Sequence, residues 1–181
     1  MTIDITFSLN DTDLEYFKEV MRKASDGVAK LDERTILDTV KDLSSNVKED
    51  VPQFVQQRLQ QLDTLVRMVE DVEWQIPQEE RDDVISALAY FGNPTDLIPD
   101  HIPTLGFLDD AIMIELVVSD LRENIDAYKE FSDYREREKK RRDPATITTD
   151  DWLAAKRKDL HNRMYHRRHS SRRGGSSFRI F

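Results

Sequence analysis

Four carboxylates and one imidazole fall within fifteen residues in the middle of the chain, at Asp96, Asp100, His101, Asp109 and Asp110. Oxygen donors of this kind hold hard divalent cations such as Mg2+ or Mn2+. A metal-dependent active centre at Asp96, Asp100, Asp109 and Asp110 is therefore the sharpest chemistry on offer. A plainer role fits each aspartate separately. Asp96 and Asp100 suit the turns of a proline-rich loop, and Asp109 and Asp110 suit the first turn of the next helix, where free N–H groups and the helix dipole favour negative charge. Because none of these local roles requires an ion, the expectation is a chain without a cofactor, with a divalent cation at the four aspartates as the alternative.

Three histidines near the C-terminus, His161, His166 and His169, stand at spacings of five and three. The arginines between them repel a cation, so they read as members of a solvated basic helix rather than as metal ligands. Ser170-Ser171 and Ser176-Ser177 lie in no Gly-x-Ser-x-Gly elbow and have no identifiable acid and base partner. No glycine loop of the phosphate-binding type is present. With no cysteine in the chain, disulfides, thiolate zinc sites and cysteine nucleophiles are excluded together, which is compatible with a reducing cytosol. The reading is non-enzymatic.

Charge is the other asymmetry. The net charge of -9 divides into 18 Lys and Arg against 34 Asp and Glu over residues 1–150, and nine against two over residues 151–181. A basic end on an acidic body either binds a polyanion or folds back on that body. Arg163, Arg167, Arg168, Arg172, Arg173 and Arg179, interleaved with Tyr165 and the histidines, are the residues for gripping phosphates, so RNA or DNA bound through residues 156–179 is one expectation and an anionic membrane surface another. Phe178, Ile180 and Phe181 are unusual in a purely electrostatic arm and suggest docking to a protein partner.

These residues need elements to position them. At 181 residues, with 35% charged and five glycines, the chain suits one helical core with solvated outer faces. Ile3, Ile5, Phe7 and Leu9 alternate with polar residues as a short strand would. Thr12 and Glu15 form a capping box for a first helix carrying Leu14, Phe17, Met21 and Ala24 on one face. Ile36, Val40, Leu43 and Val47 mark a second helix, with Asp32 as its cap. Val55, Leu59, Leu62, Val66 and Val69 mark a third that starts at Pro52 and reaches Trp74, its glutamine-rich outer face reading as solvated. Pro77 stops it, and Val84, Leu88 and Phe91 turn a fourth helix inward.

Three prolines, Pro94, Pro99 and Pro103, then set a rigid irregular path to Gly106, the hinge of a fifth helix. That helix is apolar all round at first, becomes one-sided after Val118 and ends before Asp143-Pro144. Residues 107–118 contain Asp109, Asp110 and Glu115 and fall short of the roughly 20 residues of a membrane span. The N-terminus lacks the basic and apolar regions of a secretory signal, which makes the cytoplasm, with a membrane-peripheral position as the variant, the expected location. Thr149, Asp150 and Asp151 start a last helix, whose apolar face is Trp152, Leu153, Leu160 and Met164, followed by the flexible segment RRHSSRRGGSSFRIF.

The central segment, with Tyr90-Phe91, Pro94, Asp96-Leu97-Ile98-Pro99-Asp100, Pro103, Gly106 and Asp109-Asp110, resembles the core motif of the YkvA-like family, a bacterial domain of unknown function. Leu14-Glu15-Tyr16-Phe17 and the surroundings of Trp74 are similar to longer members. The resemblance implies a small helical protein and brings no catalytic residue. The expected architecture is all-α: a single bundle of five or six helices over residues 1–142, organised around residues 87–121, with a strand-like start and, over residues 149–181, a basic helix plus tail. The expected function is that of a non-enzymatic interaction protein whose tail docks a partner.

Overall fold

Asn10 starts the first helix. Its Oδ1 accepts the backbone N–H groups of Thr12 (2.9 Å) and Asp13 (3.2 Å), and Asp13 Oδ2 accepts the N–H of Asn10 at 3.0 Å. The reciprocal cap expected on Thr12 and Glu15 is thus formed two residues earlier, and Glu15 pairs instead with Lys18. The second helix begins as its sequence predicts, with Asp32 accepting the N–H of Thr35 at 2.9 Å and its hydroxyl at 3.0 Å.

The protein's computed structural model describes residues 8–28, 32–45, 53–92, 108–141 and 150–173. Among these residues lie seven α-helices and no strand: α1 Asp11–Val28, α2 Glu33–Ser45, α3 Gln53–Glu70, α4 Gln78–Ala89 with a 3-10 turn Tyr90–Gly92, α5 Leu108–Asp120, α6 Arg122–Arg141 and α7 Asp150–Arg173. Ile3, Ile5 and Phe7 lie outside the described residues, and Ser8, Leu9 and Asn10 have no regular structure. The helices form one bundle around one core.

Helix α3 is its axis, packed against α2, α4, α5 and α6. Val55, Leu59, Leu62, Leu65, Val66, Met68 and Val69 are all buried there, a stripe wide enough to meet several neighbours. The helix ends at Glu70 rather than at Trp74, because Asp71 folds the chain into a turn. Around it, α5 buries Met113, Ile114 and Val117 completely, with Ile112 and Val118 partly covered, which accounts for a sequence apolar on every side.

One long helix was expected from Gly106 to Arg142, and it is interrupted at Leu121. The N–H of Leu121 still donates to Val117 O (2.9 Å) and that of Ile125 to Leu121 O (3.0 Å), so the ladder bridges the break. Neither proline nor glycine lies there. The interruption coincides with a change in surroundings, from α5 wrapped by the core to α6, which buries only the stripe Ile125, Ala127, Tyr128 and Phe131.

Helix α7 starts at Asp150, where expected, but continues through residues read from sequence as a flexible arm, as far as Arg173. Arginine is a good helix former and no glycine or proline intervenes before Gly174, so nothing stops the helix earlier. Leu153, Leu160 and Met164 join the same core as the other helices. The helix runs antiparallel to α6: Trp152 packs on Tyr134 with ring centroids 5.4 Å apart, Lys156 and Arg163 reach Glu130, and Arg167 shares a cleft with Glu123 and Asp126. Among the described residues no helix is long and apolar enough to cross a membrane.

Candidate functional site

A buried polar corner fixes the middle of α7. Where α3 ends, Asp71 Oδ1 accepts the N–H groups of Glu73 (2.9 Å) and Trp74 (3.1 Å), closing a turn that carries Gln75 at φ 49°. The same carboxylate accepts the Tyr128 hydroxyl at 3.0 Å and Arg135 Nη1 at 2.8 Å, both from α6. Arg135 also reaches Glu73 at 2.9 Å. Burial pushes the Asp71 carboxyl up, but the Arg135 guanidinium, the Trp74 N–H and the Tyr128 hydroxyl outweigh it and hold the group below its ordinary value. Burial and the neighbouring Asp71 charge raise the Tyr128 phenol correspondingly.

The turn drives Trp74 into the core, where it is 0% exposed and touches the rings of Phe131 and Tyr128. His161 of α7 stands edge-on to it, centroids 4.5 Å apart, and Arg157 donates to Glu73 O at 2.8 Å. Burial, with the Arg157 charge beside it, lowers the His161 pKa to about 4, although a hydrogen bond with the Trp74 backbone works the other way. The imidazole is therefore neutral at neutral pH, and its place is against an indole rather than among the exposed cations.

Further along, Glu130 of α6 receives Lys156 Nζ at 2.6 Å and Arg163 Nη2 at 2.8 Å. These two cations hold the Glu130 carboxyl below its usual range, and Arg163 is raised in return. A second carboxylate, Asp159, lies 3.5 Å from Arg163 Nε. Lys156, Arg157 and Arg163 are thus all engaged by the body of the protein.

Beyond Met164 the arrangement changes. Tyr165, 53% exposed, His166, Arg167 and Ser170 face solvent, and no Asp or Glu follows Asp159 in the chain. Arg167 lines a cleft of about 90 Å³ between α6 and α7, together with Glu123, Asp126 and Glu130 and with the apolar Ala127, Leu160 and Met164. The antiparallel register sets Arg167 beside Glu123 and Asp126, near the Arg122 start of α6. Arg168, Arg172 and Arg173 continue the helix.

Of the arginines expected to meet a polyanion, Arg163 is paired, Arg167 is exposed, Arg168, Arg172 and Arg173 lie in the last two turns of α7, and Arg179 is outside the described residues. Pro94, Asp96, Ile98, Pro99, Asp100, His101, Pro103 and Gly106 also lie outside them, while Asp109 and Asp110 occupy the first turn of α5. Among the described residues no three potential ligands gather as a metal site. The corner of Asp71, Tyr128 and Arg135 is absent from the sequence reading. Its partners are 57 and 64 residues away from Asp71, and the one local signal is an Asx turn at the end of an apolar stripe.

Comparison with known proteins adds one match. Residues 84–116, from the second turn of α4 into α5, are similar to a family described as a protein of unknown function (DUF1232). No curated protein matches. No solved structure matches either.

Proposed function

We propose that this chain is a non-enzymatic interaction protein in which a helical body meets a protein partner and holds out the arginine-rich end of α7 to an anionic one. One observation supports this above the others: the body pairs the cations of α7 up to Arg163, at Lys156, Arg157 and Arg163, and the four arginines from Arg167 to Arg173 follow the last acidic residue of the helix, Asp159. An acidic body repels a polyanion, so such a contact falls to the basic end of α7. On the ordered prolines, glycine and aspartates of residues 90–110 we read the central segment as YkvA-like and, with no cysteine in the chain, we assign the protein to the cytoplasm.

Retention on a sulfated polysaccharide column tests the reading. The quadruple variant Arg167→Ala, Arg168→Ala, Arg172→Ala, Arg173→Ala keeps the core, checked by circular dichroism, and elutes at lower salt than the parent. Identical elution of the two proteins would sink the proposal.

A further inference from the structure

We infer that the anionic partner of the α7 end is duplex DNA, entered through its major groove. This rests on the reading that the end of α7 meets an anionic partner at all, and it names that partner by four features of the helix.

The first is shape. The basic segment is not an arm that orders on contact but the continuation of a helix already clamped at Leu153, Leu160 and Met164. The nine residues after Met164 span about 13 Å with a diameter of about 10–12 Å. The B-form major groove, about 12 Å wide, admits such a rod. The major groove of A-form RNA is too deep and narrow for one.

The second is chemistry. Residues 165–173 hold four arginines and no lysine. A planar guanidinium binds phosphate through two parallel hydrogen bonds and does the same to the O6 and N7 edge of guanine, whereas an ammonium acts as a point charge.

The third separates nucleic acid from lipid. A helix lying on a membrane buries an apolar face. The apolar face of α7 is turned into the core and stops at Met164, and past it Tyr165 is the one large apolar side chain in the helix.

The fourth is position. With Glu123, Asp126 and Glu130 lining the cleft beside Arg167, a polyanion laid along that side of the bundle meets carboxylates, whereas residues 168–173 at the end of α7 hold three arginines and no acidic residue. Contact through about four arginines gives a slope of log K on log salt of about -3 to -4.

Fluorescence anisotropy with a short DNA duplex, an RNA duplex of the same sequence and phosphatidylserine vesicles tests the inference on the full chain. The expected result is DNA binding about tenfold tighter than to either competitor at equal salt. A second variant, His169→Pro, keeps every arginine and breaks the helix. It is expected to lose the DNA preference while its retention on the sulfated column stays near that of the parent. RNA duplex or vesicles bound as tightly as DNA, or an unchanged DNA preference in His169→Pro, overturns the inference and leaves the broader reading standing. Column retention that ignores the four arginines overturns both.

Discussion

Arg135 Nη1 lies 2.8 Å from Asp71 Oδ2, across 64 residues of chain, and both side chains are largely buried. That pair joins the end of α3 to the middle of α6. Removing Asp71 takes an acceptor from the Tyr128 phenol, leaves Arg135 with Glu73 alone and opens the turn before Trp74. Asp71→Ala is expected to lower stability by about 2–4 kcal/mol, read as a shift in urea midpoint at unchanged slope. Asp71→Asn, which can still accept the two backbone N–H groups, is expected to lose less.

Acid acts on the same corner through two groups. Asp71 has a folded pKa below its unfolded one, so the stability it contributes is present above the ordinary carboxylate range and is lost as pH falls through the folded value. His161, lowered from 6.5 to about 4, also favours the fold when unprotonated, and its contribution declines as pH falls from 6.5 towards 4. Thermal melts are expected to weaken in two stages on acidification. His161→Gln removes the upper one, and a variant whose melts still drop between pH 6.5 and 4 as the parent's do would place that stage elsewhere.

Trp74 is the largest fully buried side chain among the described residues. It touches α6 through Phe131 and Tyr128 and α7 through His161, so Trp74→Ala is expected to cost about 3–5 kcal/mol. Hydrogen exchange is expected to show α7 amides losing protection along with those of α6. Loss confined to the turn would mean that α7 is held by other contacts.

Glu130 is partly exposed, which limits what its ion pairs add to stability. Glu130→Gln is expected to cost less than about 1 kcal/mol in a melt. It also releases Lys156 and Arg163, so retention on the sulfated column should move to higher salt. Lower retention would mean that Glu130 positions the basic helix rather than competing for its cations.

The helical stripes of α2, α3 and α4 were legible because burial at every third or fourth residue is a local pattern, and so was the cap at Asp32. Three things were not. Asn10 and Thr12 both precede an acidic residue by three, so spacing alone could not choose between them. The arginine-rich run from Arg167 was read as a tail because charge suggests solvation, although charged residues extend a helix readily when no breaker intervenes. His161 was grouped with His166 by sequence, yet one faces an indole and the other water. Partners brought together by tertiary contact leave no mark at the spacing of a single helix.

Gln75 carries a side chain in a conformation that suits glycine, at a cost of about 1 kcal/mol. The bend is kept because what lies on either side of it grips hard: two amides on the Asp71 carboxylate before it, the indole wedged under α6 and α7 beside it. It resembles a sprung clip more than a hinge. Because α4 begins three residues after it and the indole one residue before it seats His161, a single bend sets both the start of α4 and part of the footing of the arginine-bearing helix.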